Sequence, residues 1–106
     1  MDINELTDKV ELVSEKYTKE FSIKRDSDWF MLKLQEELGE LTQTYLMYVN
    51  KARQKGLSNN EIKEIFENEV ADVLCHVLLL SKHHNVKLEK KIQEKWLSRL
   101  EKHSDK

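Results

Sequence analysis

No proline occurs anywhere in the 106 residues of this chain, and glycine occurs only at Gly39 and Gly56. Proline and glycine set the backbone angles that tight turns need, so a sheet with several hairpins is hard to build from such a sequence. Long helices are what remain. The chain is 36% charged and 39% apolar with a formal net charge of -2, and its apolar residues fall in periodic runs, which separates it from disordered chains. A length of 106 residues suits one hydrophobic core, so a single domain over residues 1–106 is expected.

The same inventory excludes several function classes. With Cys75 as the one cysteine, neither an intramolecular disulfide nor a thiolate metal cluster can form. A sequence pI near 6.1 without a dense basic patch argues against nucleic acid as the main partner. Met1-Asp2-Ile3-Asn4-Glu5 has neither a basic start nor an apolar core of a leader, and the uncharged apolar stretch around Val77–Leu80 is too short to span a bilayer. No membrane partner and a cytoplasmic location are therefore expected.

Four helical stretches follow from apolar periodicity. Leu6, Val10, Val13 and Tyr17 recur at three- and four-residue steps and predict a helix from about Ile3 to Tyr17. The polar segment Ser22–Asp28 offers two candidate N-caps just before Trp29, where a second helix is predicted to start, continue to about Arg53 and be ended by Gly56. Ser58-Asn59-Asn60-Glu61 has the spacing of a capping box and opens a third helix near Asn59, running to about His83 with Asn85 as the turn residue. Leu88, Ile92, Trp96 and Arg99-Leu100 outline a fourth. Short connections favour antiparallel neighbours, hence an all-α antiparallel bundle of about four helices. The run Val70–Leu80 is apolar almost all round, and three neighbouring helices cover such a helix only in part. A homodimer or homotetramer that completes the bundle is expected.

On the second helix, Lys33, Glu37, Glu40 and Thr44 share a stripe beside an apolar one of Leu34, Leu38, Leu41, Tyr45 and Tyr48. Two carboxylates one turn apart repel, and more strongly where partly buried, so a cation between them is expected. The third helix repeats the arrangement with Glu69 and Asp72, the latter inside the most apolar run, where an unpaired carboxylate is costly. If the helices run antiparallel, Glu37 and Glu40 can face Glu69 and Asp72. Four oxygen donors without sulfur or clustered histidine suit Mg²⁺, with Mn²⁺ possible. Glutamate fills 14 of 106 positions, so acidic spacing alone says little: Glu61, Glu64 and Glu67 repeat it on a polar face that reads as solvated.

Glu36-Glu37-x-x-Glu40 followed by Glu69-x-x-Asp72 resembles the motif of the MazG-like all-α nucleoside triphosphate pyrophosphohydrolases, a superfamily that includes phosphoribosyl-ATP pyrophosphohydrolase and dCTP pyrophosphatase. The resemblance spans roughly Asp28 to Arg99, and Lys33, the Ala71–His76 run and the Lys95-Trp96 pair add to it. It implies Mg²⁺-dependent hydrolysis of an NTP or dNTP between the α and β phosphates, giving a monophosphate and pyrophosphate, in a nucleotide-pool housecleaning role. It further implies Glu37, Glu40, Glu69 and Asp72 as metal ligands, and Glu36 either as a residue that supports those ligands from behind or as the group that orients the attacking water. The chemistry needs charge neutralisation and a positioned water, both of which a carboxylate-held divalent cation supplies. Basic side chains complete such a site, with Lys33 favoured and Lys95 and Arg99 as further phosphate contacts. Trp29, Phe30 and Trp96 could stack on a base, although aromatic residues at helical spacing usually serve the core.

Other residues receive ordinary structural readings. His76, one turn after Asp72, reads as a buried histidine bonded to a neighbour, His83-His84 as a helix C-terminus, and Cys75 as core. Gly39 inside a helix costs about 1 kcal/mol relative to alanine and points to close approach of a helix or ligand. Three other functions compete. A phosphoribosyl-ATP pyrophosphohydrolase-like enzyme would share the site. A non-catalytic helical interaction module would use the acids to pair with a basic partner. A di-iron bundle needs Glu-x-x-His pairs, which this sequence lacks.

Overall fold

The computed structural model describes residues 1–100, which form α1 (Ile3–Glu20), α2 (Ser27–Tyr48), α3 (Asn59–His83) and α4 (Leu88–Ile92). Among the described residues there is no strand, and α4 runs on through a π-helical turn at Gln93–Leu97. Each of the three long helices begins on a side-chain cap that satisfies an otherwise orphaned amide. Asp2 accepts from the Glu5 amide and Asp26 from the Trp29 amide, both at 2.8 Å. At Ser58 the capping box is complete: Ser58 Oγ accepts from the Glu61 amide at 3.1 Å, and Glu61 Oε1 accepts from the Ser58 amide at 2.9 Å. Those hydrogen bonds hold the Glu61 carboxyl below its usual range.

The three long helices also end alike, and without glycine. Ser22, Asn50 and Asn85 take left-handed φ values of 54°, 61° and 54°, and the next amide in each case reaches back to close the last turn. Ile23 donates to the Thr18 carbonyl, Lys51 to that of Leu46 and Val86 to that of Ser81, all at 2.8 Å. These ends correct two boundaries. α1 continues to Glu20, a turn beyond Tyr17, and α2 stops at Tyr48, because Asn50 supplies the left-handed residue before Gly56 is reached. Gly56, at φ 75°, lies in the loop that follows.

α2 and α3 pack antiparallel as the central hairpin, and α1 lies against α3. Lys82 Nζ bonds Asp8 Oδ1 at 2.8 Å near one end of α1, while Arg25, in the α1–α2 connection, pairs with Glu11 and stands 3.1 Å from Ser14 Oγ. The buried apolar residues are few: Phe30, Met47, Ile62, Leu78 and Leu79, joined by Thr18, Thr44 and Ser81.

Two expected stripes face elsewhere. On α1 the half-buried and buried positions are Ile3, Thr7, Val10, Glu11, Ser14 and Thr18, whereas Leu6, Val13 and Tyr17 are exposed. On α2 the stripe that meets α3 carries Phe30, Glu37, Leu41, Thr44 and Met47, Leu38 stands outside it, and the half-exposed Tyr45 and Tyr48 lie along its edge against Phe66 of α3, Tyr48 stacking on that ring at 4.8 Å. The fourth helix departs further from expectation. It projects from the other three, with Trp96 and Leu100 at 60% and 67% exposure, so of the four helices among the described residues three pack closely together. The radius of gyration, 17.2 Å, exceeds the roughly 13 Å of a compact chain of this length.

Candidate metal centre

Because α2 and α3 run antiparallel, the inward stripe of one meets that of the other with acid against acid. Glu37 and Glu40 project from α2 and Glu69 from α3, and one carboxylate oxygen of each lies within 4.8 Å of the other two. Glu37 Oε2 and Glu69 Oε2 are buried without any hydrogen-bond partner. Such oxygens are ordinarily paired, since burying an unsatisfied carboxylate oxygen is costly. The electrostatics register the same conflict. Burial, then the charges of Glu40 and Glu69, push the Glu37 carboxyl up to about 7. Burial, followed by the charges of Asp72 and Glu40, raises Glu69 as well. Three oxygen donors converge here, Glu37 and Glu69 each with an open lone pair and each destabilised as an anion, and the set fits a hard divalent cation by its chemistry.

Asp72 stands apart from this group. Three residues turn a helix by about 300°, so Asp72 points some 60° away from Glu69. Its carboxylate emerges on the flank beside α1 and is exposed, which corrects the expectation of a carboxylate held inside the apolar run. There it joins Glu37 in lining an open cleft of about 460 Å³ between α1, α2 and α3. Val10, Val13, Tyr17 and Trp29 form much of the apolar wall, and Lys33 sits at the same cleft, 3.4 Å from Glu36. The Glu36 side chain is turned outward and remains 56% exposed.

The other candidates divide between cleft and periphery. Lys95, Trp96 and Arg99 lie on the projecting C-terminal segment, where the Arg99 guanidinium covers the Trp96 ring at 5.2 Å, and one chain does not bring them to the carboxylates. Phe30 is buried and stacks on His83 at 4.3 Å, which assigns both to the packing of α2 on α3. Cys75 is half-buried at the cleft wall, and burial, then the Asp72 charge, raises its thiol, which disfavours the reactive thiolate. Glu64 and Glu67 are exposed on the outer face of α3. A Cβ built on Gly39 would meet nothing within 4 Å, so no group of its own chain approaches it.

Two features of the cleft differ from the sequence expectation. His76 Nε2 lies 4.0 Å from Glu37 Oε1, its Nδ1 is buried without a partner, and burial, then the Lys33 charge, lowers its pKa. A neutral imidazole beside the carboxylates is the result. Tyr17 and Val13, which the periodicity of α1 places in a core stripe, instead wall the cleft. No family model, characterised protein or solved structure matches the chain.

Proposed function

We propose that the chain is a Mg²⁺-dependent nucleotide pyrophosphohydrolase, acting on an NTP or dNTP in nucleotide-pool housecleaning and working as a homo-oligomer. The observation that carries this reading is the meeting of Glu37, Glu40 and Glu69, with two buried and unpaired oxygens, and Glu37 of that group also lines the cleft that holds Lys33. The motif resemblance supplies the reaction class, and the donor set supports it.

In this reading Glu37, Glu40 and Glu69 would hold the cation, with Asp72 as the further ligand that the motif resemblance implies. The cation would neutralise phosphate charge and acidify a bound water. Lys33 contacts a phosphate oxygen as a point charge. The oxygen of water bonds to phosphorus while the bridging P–O bond breaks, and pyrophosphate leaves with the bridging oxygen. Glu36, 3.4 Å from Lys33, would orient the attacking water. Val10, Val13 and Trp29 give an apolar wall against which a base can rest.

A non-catalytic interaction module would turn its acidic residues outward to a basic partner, whereas Glu37 and Glu69 face inward with buried oxygens. The enzymatic reading is tested by pyrophosphate release from a panel of canonical and modified NTPs and dNTPs and phosphoribosyl-ATP, with and without Mg²⁺ or Mn²⁺. Turnover that requires the cation and disappears in Glu69→Gln is expected. No cation-dependent turnover of any panel member would sink it. Preference for phosphoribosyl-ATP would move the chain to the biosynthetic relative of the same chemistry.

A further inference from the structure

His76 is a mostly buried polar residue of the cleft that the chemistry above leaves without a task. Seven residues beyond Glu69, it returns to the seam of α3 that faces α2. Its Nε2 lies 4.0 Å from Glu37 Oε1, and the two side chains are 17% and 13% exposed. The imidazole also meets the Trp29 ring, at 61° with centroids 6.4 Å apart. Trp29 and Glu37 stand a little over two turns apart on α2, and the Asp26 cap on the Trp29 amide anchors the first of them. The ring thus has a neighbour that sets its plane and a neighbour that can use its proton.

Three tasks are open to such an imidazole. As a cation ligand it is poorly placed: Glu37, Glu40 and Glu69 bring one oxygen each within 4.8 Å of one another, His76 is not of that group, and a hard cation takes oxygen in preference to imidazole. As a contact to a bound molecule it is equally poor, because its unpartnered Nδ1 is buried away from the cleft solvent. Glu37 remains. The two oxygens of that carboxylate differ, since Oε2 is buried with no partner whereas Oε1 is the one near Nε2. A neutral imidazole carries one N–H and one lone pair, and beside a carboxylate oxygen the proton belongs on the nitrogen that faces it. The gap is about 1 Å longer than a hydrogen bond, and contacts of this kind are often long until a ligand tightens the site.

We propose that His76 is a positioning residue for the cation site: its Nε2–H donates to Glu37 Oε1, fixes the rotation of the carboxylate and leaves Oε2, the oxygen without a partner, to the cation. This rests on the cation reading above and adds the group that orients one of its ligands. Outer partners of this kind typically carry roughly a 10–100-fold share of metal affinity.

The test is Mn²⁺ binding at pH 8 without nucleotide, read from the electron paramagnetic resonance of the free ion. His76→Met keeps the bulk and loses the donor, so its dissociation constant is expected to rise roughly 10–100-fold, whereas His76→Gln, whose amide can still donate, stays within about threefold of wild type. A wild type that binds Mn²⁺ no better than Glu69→Gln would refute the cation reading and this proposal with it. A wild type that binds, with His76→Met equal to it or with the two His76 variants equally weakened, would overturn this proposal alone. The tautomer is read independently in the wild type, from imidazole ¹⁵N shifts in saturating Mg²⁺, with His76 assigned by its absence from His76→Gln. A proton on Nε2 and a bare Nδ1 are expected, and a proton on Nδ1 would overturn the proposal even where His76→Met fails to fold.

Discussion

Replacing Glu37 by glutamine removes a charge the fold does not tolerate well, and its effect on stability has a definite sign. The Glu37 carboxyl is raised from 4.5 to about 7 in the folded chain, so between those values the native state holds a proton that the unfolded state has released. Stability tied to this group is then fully present below about pH 4.5 and is lost as pH rises through about 7. A displacement of that size corresponds to roughly 3 kcal/mol. Partial solvent screening of a side chain 13% exposed, and sharing of the proton with Glu40 and Glu69, bring it to on the order of 2 kcal/mol. Glutamine occupies the same volume without ionising. Metal-free Glu37→Gln should therefore match the wild type near pH 4.5 and exceed it at pH 8 by about 2 kcal/mol, or about 8 °C in melting temperature. The assay is thermal unfolding at several pH values in a chelator. Parallel curves for the two proteins, or a variant less stable at pH 8, would refute the carboxylate conflict.

Other expectations follow from the same geometry. Mg²⁺ or Mn²⁺ should raise the melting temperature of the wild type at pH 8, by about 2.7 kcal/mol of stabilisation at a hundredfold excess over the dissociation constant, and should leave Glu69→Gln unmoved; an equal shift in the variant would place the cation elsewhere. Leu78→Ala, at the most buried side chain, should cost 2–5 kcal/mol in denaturant unfolding without changing cation affinity once folded, and a loss under about 1 kcal/mol would count against the core described. Ser58→Ala opens the capping box and should cost about 1 kcal/mol by the same measurement. Gly39→Ala should stabilise by up to about 1 kcal/mol, since its Cβ meets no neighbour; a loss of activity or assembly on that substitution would reveal a ligand or partner at this helix face.

Helix starts were legible because their signals are local. Ser58 and Glu61 announce a capping box within four residues, and the structure forms both of its hydrogen bonds. Helix ends were harder. Asn50 enters the left-handed region as readily in context as glycine would, so Gly56 drew the predicted end of α2 toward itself while Asn50 had already closed it. Seven-residue apolar spacing raises a deeper ambiguity: it reports a face that must be covered and is silent about which chain covers it. Leu38, Tyr45 and Trp96 satisfy every periodicity test for a core and are half-exposed or more in this chain.

The site was readable in part for a related reason. Glu37, Glu40 and Glu69 follow from stripe geometry once α2 and α3 are antiparallel, because each lies on the seam between them. Asp72 was drawn in by its apolar sequence neighbours, yet neighbours along a helix point in different directions, and a turn of 60° carries it from seam to cleft. His76 shows the limit from the other side. It lies seven residues beyond Glu69, nearly two full turns, and so returns to the seam beside Glu37. A histidine at that step from a seam acid is a positional signal that needs no knowledge of the fold beyond helix direction. Its lowered pKa and unpaired Nδ1 keep it neutral, leaving the excess negative charge of the three glutamates to a cation or a proton.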